Sequence, residues 1–257
     1  CTGYGGLEIG LSRALDTTLD VVSVEIECYA QAVICKNAAK ETQVVTKAVW
    51  NDLKTFPTER FRGCFDYILA GFPCQPFSVA GKRKGKGDSR WLWDDIERII
   101  KTVRPIWVFL ENVPGLLSLG FPSVYRSLRN LGYKVEAGLF TAAEVGATIQ
   151  GQRLYILAQA NSINRKILLR QRLSQCNLLE NRRSRSCMGT APLEWPPLVG
   201  DKIGWDKIIK EQPKSMLPGM AARITNKMDR LRLLGNGVVP QQAEKAFRYL
   251  MELFKDD

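Results

Sequence analysis

Apolar positions along the chain follow two rhythms that alternate. Short continuous apolar runs read as buried strands, and stretches with apolar residues every three or four positions read as helices. The run VVSVEI predicts a strand ending at Glu25, and ECYAQAVICKNA after it predicts a helix, which together open a βαβ repeat. FDYILAG and IWVFLENV repeat the strand signal, and DDIERIIKTV between them has helical spacing. PSVYRSLRNLG reads as a helix closed by Gly132. YKVEAGLFTAAEVG and RLYILAQA supply more strand and helix. Near the end, Pro240 marks a helix start, with Ala243, Phe247, Leu250, Met251 and Phe254 on one face. This helix is expected to dock back on the main domain.

At the opposite end, CTGYGGLEIGLSRAL is a glycine-rich turn running into a helix expected over residues 6–17. Such turns normally follow a strand, which here would have to lie before Cys1. The expected fold class is therefore α/β, a mainly parallel doubly wound sheet of Rossmann-like type, with ligands gathering at the carboxyl ends of the strands. The periodicity fades where Arg, Ser, Asn, Pro and Trp dominate. This divides the chain into a catalytic and cofactor-binding unit at 1–158, a small irregular insertion at 159–215 and a returning segment at 216–257.

Composition narrows the chemistry. With 37 Lys and Arg against 26 Asp and Glu, the net charge is +11, which points to a polyanionic partner such as nucleic acid. The chain has no histidine, which removes histidine bases, triads and metal ligands. Seven cysteines without a CxxC pair fit a reduced, intracellular chain better than a disulfide scaffold or zinc site. No apolar run approaches the roughly 20 residues that cross a bilayer, so no membrane association is expected. The expected location is cytoplasmic.

Three places carry candidate chemistry. In TGYGG, Gly3, Gly5 and Gly6 let backbone approach a ligand, and Glu25 about twenty residues on is placed to hold a ribose hydroxyl pair. A bare packing turn is the alternative there. In GFPCQPFS, Cys74 stands between Pro73 and Pro76, and the sequel AGKRKGKGDSR offers Lys82, Arg83, Lys84, Lys86 and Arg90 to phosphates. An inert thiol beside a solvated basic loop is the competing reading. In FLENVPG, Glu111 ends a strongly apolar strand, where desolvation would raise its pKa and let it carry a proton near neutral pH. An ordinary strand-end carboxylate would look the same in sequence.

Taken together, CTGYGG, SVEIECYA, NDL, GFPCQPFS, ENVPG and GNGVVPQQA occur in an order that resembles the cytosine-C5 methyltransferases that use S-adenosylmethionine, particularly bacterial and phage DNA enzymes. The resemblance implies that Cys74 adds as thiolate to C6 of cytosine, that Glu111 engages N3 and the exocyclic amine, and that Arg153 meets O2. It implies a cofactor site formed by Gly3, Tyr4, Gly5, Gly6, Glu25, Ile26, Asp52, Leu53, Gly71, Pro73 and Asn236. It places Gln75, Ser78 and the basic residues of the 81–90 loop on double-stranded DNA, with the cytosine flipped out, no metal, and the chain acting as a monomer. Two alternatives accompany this reading: methylation of cytosine in transfer RNA by the same fold, and a non-catalytic nucleic-acid-binding homologue. The chain departs from the family pattern at Cys1, where phenylalanine is frequent, and at Gly151, where a second arginine is expected. Its target-recognition region is also short.

Overall fold

The protein is described here from a computed structural model covering residues 1–38, 43–73, 92–161 and 237–255. Gly5 lies in the left-handed region at φ 93° and starts helix α1 (Gly6–Leu15), which stops at Asp16, itself left-handed. That reversal ends the helix two residues before the expected limit. Then follow β1 (Leu19–Val24), α2 (Cys28–Ala38), β2 (Val44–Trp50), β3 (Tyr67–Gly71), α3 (Trp93–Val103), β4 (Trp107–Asn112), the short α4 (Leu116–Leu119), α5 (Phe121–Asn130), β5 (Tyr133–Phe140), β6 (Arg153–Ala160) and α6 (Pro240–Glu252).

β3, β4, β6 and β5 lie side by side in that order, with β3 and β4 parallel and β6 antiparallel to both its neighbours. Three of these strands therefore run one way and β6 runs against them. β1 and β2 form a separate parallel pair. β2 completes the first βαβ repeat. It was absent from the expected runs because the polar pair Thr46 and Lys47 splits its apolar residues into two short pieces.

β4 is buried along its whole length. Its side chains alternate between two cores, as a strand's geometry requires. Val108 and Leu110 meet Ile96 and Ile100 of α3 and Val124 and Leu128 of α5, while Trp107 and Phe109 meet Leu7 and Leu11 of α1 and Phe247 and Leu250 of α6. Helices thus cover both faces, the doubly wound arrangement that the apolar runs predict. Each large side chain buried this way contributes about 1.5–3 kcal/mol. Of the expected face of α6, Ala243, Phe247 and Leu250 are buried, and Met251 and Phe254 pack half-buried at its margin.

Between β1 and β3 lies a cavity of about 880 Å³, lined by Val22 and Val24 on one side and Ile68 and Ala70 on the other. Among the described residues β1 pairs with β2 and β3 with β4, so both strands turn an unpaired edge to this space. At its rim Thr2 N donates to Val24 O at 3.2 Å. β6 continues past the expected boundary at 158, because Ala160 N still donates to Ile106 O at 2.9 Å. The insertion expected at 159–215 lies outside the described residues beyond Asn161. No helix among the described residues is long and apolar enough to cross a membrane.

Candidate functional site at the strand ends

The carboxyl ends of β1, β3 and β4 carry the residues singled out from sequence. At β1, Glu25 is 6% exposed. Its Oε2 accepts from Gly3 N at 2.8 Å and its Oε1 accepts from Glu27 N at 3.0 Å. Gly3 can present that amide because it sits at φ 59°, and no atom lies within 4 Å of where its Cβ would stand. A carboxylate has about four lone-pair sites, so Glu25 retains acceptors for a pair of hydroxyls. Beside it, Ile26 is 69% exposed, an apolar surface at the same rim. This donor and acceptor set fits a nucleoside.

Glu25 N donates to Trp50 O at 2.9 Å, which brings the end of β2 alongside. There the Asp52 side chain accepts from Lys54 N at 2.9 Å and caps a short turn, while Leu53 O is held by Arg98 at 2.9 Å. Both residues therefore anchor the local backbone. Gly6 has a packing reason to be glycine: a Cβ there would come within 2.3 Å of Val238 O. Tyr4 donates its hydroxyl to that same carbonyl, which ties the glycine turn to the segment entering α6.

At β4, Glu111 is 8% exposed and faces its parallel register partner Gly71 on β3. A Cβ on Gly71 would lie 3.1 Å from Glu111 Oε2, so glycine leaves the carboxylate its room. Burial pushes the Glu111 carboxyl up to about 7, against the opposing pull of Arg153. Arg153 Nε stands 3.1 Å from Glu111 Oε1. Directly across the ladder from Glu111 is Tyr155, whose buried hydroxyl has no hydrogen-bond partner among the described residues. Its proton is held more tightly than usual, first by burial and then by the charge of Glu111.

Asn112 locks the two strand exits together. Its Nδ2 donates to Phe72 O at 3.1 Å and its Oδ1 accepts from Val113 N at 2.9 Å. The exposed Pro73 is the last described residue before the cysteine loop. Cys74, Gln75, Ser78, Lys82, Arg83, Lys84, Lys86, Arg90 and Asn236 lie outside the described residues.

The site thus joins Gly3 with Glu25, and Gly71 with Glu111 and Arg153. Sequence reasoning missed Tyr155, Val238 and Gln242. For Tyr155 the signal was available, since it lies two positions after Arg153 and shares its face of the strand. Gly151, where a second arginine was expected, adopts φ 47°, and a Cβ there would stand 3.0 Å from Ala142 Cβ. The backbone at this position is built for glycine.

Residues 1–201 match the family described as C-5 cytosine-specific DNA methylase. The Type II methyltransferase M.HgiCI of Herpetosiphon aurantiacus is 39% identical over 142 residues, which cover 52% of this chain and 31% of that protein. The Type II methyltransferase M.HhaI of Haemophilus parahaemolyticus is 32% identical over 167 residues, covering 63% of this chain and 48% of the relative. The S. pombe Dnmt2 methyltransferase structure superposes with a TM-score of 0.50 at 25% identity, covering 62% of this chain and 49% of that one. The matched stretch spans a third to a half of the length of these curated relatives.

Proposed function

The chain belongs to the C-5 cytosine-specific DNA methylase family, and from that premise we propose that it methylates cytosine at C5 in double-stranded DNA, using S-adenosylmethionine. The observation that carries the reading is Glu111: a buried carboxyl at a strand end, pushed up to about 7, beside an arginine and next to the strand from which the cysteine loop leaves. A group half-protonated near neutral pH is suited to give and take a proton on a ring nitrogen.

In this reading Cys74, as thiolate, adds to C6 of a cytosine flipped out of the duplex. The C5–C6 pair of electrons moves onto C5 and toward N3, where Glu111 supplies a proton. Arg153 steadies the carboxylate that remains and offers its other donors to O2. Gly3, Tyr4, Gly5, Gly6, Glu25, Ile26, Asp52, Leu53, Gly71, Pro73 and Asn236 would hold S-adenosylmethionine, with Glu25 accepting from the ribose hydroxyls. The cofactor supplies an electrophilic methyl carbon on its sulfonium. After C5 takes the methyl, solvent water takes the C5 proton, the electron pair left behind expels Cys74 as thiolate, and the N3 proton returns to Glu111, which restores the ring. Lys82, Arg83, Lys84, Lys86 and Arg90 would meet phosphates together with Gln75 and Ser78.

The test is transfer of labelled methyl from S-adenosylmethionine to mixed-sequence duplex DNA, comparing the chain with Cys74→Ser and Glu111→Gln. Label at cytosine C5 is expected only with the thiol intact, and Glu111→Gln should slow transfer by about 10²–10⁴-fold. Label on RNA and none on DNA would assign an RNA substrate instead. Cofactor binding without transfer to either would mark a non-catalytic homologue.

A further inference from the structure

The loop 141–152 between β5 and β6 delivers Arg153 to Glu111. Its two ends face each other, since Phe140 and Arg153 are register partners. A single side chain from a distant part of the chain binds both. Gln242 on α6 is 1% exposed, and its Nε2 donates to Phe140 O at 2.8 Å and to Gly151 O at 2.9 Å. A carboxamide nitrogen holds two hydrogens in one plane, so one head group can bridge two carbonyls at once. Helix α6 touches the loop again at the surface, where Lys245 Nζ lies 2.9 Å from Glu144 Oε2. That pair is open to solvent and should contribute little.

The loop is shaped to meet this side chain. Ala142 N donates to Gln150 O at 2.8 Å, which closes the loop on itself. Gly151 follows at φ 47°, where a Cβ would crowd Ala142 Cβ at 3.0 Å, and its carbonyl accepts from α6. Gly151 and Gln242 therefore form the two halves of one contact, two residues from the arginine that meets Glu111.

We propose that Gln242 is a positioning residue for the Glu111–Arg153 pair: by holding Phe140 and Gly151 it sets where the Arg153 guanidinium stands against the carboxylate. The C-terminal helix thereby becomes part of the cytosine-binding half of the site. This inference rests on the reading of the site given above. Among the described residues, the charged or titratable groups around Glu111 are Arg153 and Tyr155 of β6, with Tyr4 of the glycine turn next to Tyr155. β3 brings only Gly71, and the segment before α6 brings Val238. Arg153 is thus the group that opposes burial in setting the proton affinity of Glu111.

The experiment is titration of Glu111 by NMR in protein carrying ¹³C-labelled glutamate carboxyls, assigned by the signal lost in Glu111→Gln, with no cofactor or DNA present. Gln242→Met removes both donors while keeping length and bulk. A loosened guanidinium lowers the proton affinity less, so the midpoint should rise by roughly half a pH unit or more. Arg153→Met should show the full rise, and the double variant should add nothing to it. Lys245→Met, which removes only the surface contact, should leave the midpoint in place. If Gln242→Met does not fold, Gly151→Ala disturbs the same contact from the loop side and should move the midpoint the same way. An unmoved midpoint in the folded variant, or an equal rise in Lys245→Met, overturns the proposal. A wild-type chain that methylates no nucleic acid, with the midpoint still moving in Gln242→Met, refutes the methylation reading and supports the positioning one.

Discussion

Glu8 and Glu111 are both buried carboxyls that burial pushes up to about 7. Glu111 has Arg153 at 3.1 Å, whereas Glu8 Oε2 has no hydrogen-bond partner among the described residues. For Glu8 the consequence is a stability that depends on pH. The folded chain holds the proton more tightly than an unfolded one, so stability is full below the ordinary carboxyl pKa of 4.5 and falls as pH rises toward 7. Above that the loss is complete, on the order of 3 kcal/mol. Glu8→Gln should therefore gain stability over the wild type at pH 8 relative to its standing at pH 4.5. Urea unfolding at both pH values checks this, and a difference independent of pH would count against it.

At the scale of elements, α1 and α6 approach so closely that glycine is required where they touch. A Cβ on Gly10 would stand 2.6 Å from Ala243 Cβ and 2.7 Å from Pro240 O. In an isolated helix, glycine to alanine would stabilise by about 1 kcal/mol. Here the opposite sign is expected for Gly10→Ala, a net cost of about 1–3 kcal/mol, because the obstructing atoms include backbone that cannot rotate away. The denaturation midpoint decides, and an increase would show that the helices can part at little cost. The same contact explains why Gly6 and Val238, far apart in the chain, belong to one site: α6 presses the glycine turn toward the strand ends.

At the scale of the whole molecule, a cavity of about 880 Å³ lies between β1 and β3. Among the described residues, the two strands have unpaired edges and apolar side chains along a shared space, which suits them to accept a strand between them. An N-terminal extension of Cys1 with a six-residue alternating Val/Thr strand should therefore raise the melting temperature. An equally long Gly/Ser extension should not. Equal melting temperatures for the two would mean that the space does not take a strand. The net charge of +11 belongs to this scale too. In the proposed function it attracts DNA without naming any base, since phosphate contacts carry no sequence.

Much of this protein was legible in its order of residues. The buried runs of β4 and β6, the proline that starts α6, and Glu111 at a strand's end all follow from local periodicity, which neighbouring residues alone determine. So does the glycine at position 3, because a left-handed backbone position favours glycine wherever it occurs. β2 escaped notice because Thr46 and Lys47 interrupt its apolar run. What only the tertiary structure decided is which of these local pieces meet. Arg153 reaches Glu111 because β6 lies antiparallel beside β4, Gln242 reaches Phe140 and Gly151 because α6 docks behind them, and Gly6 is confined by Val238. These contacts join residues remote along the chain. Their geometry is set by strand order and helix docking, which depend on how whole faces pack and not on any local run of residues.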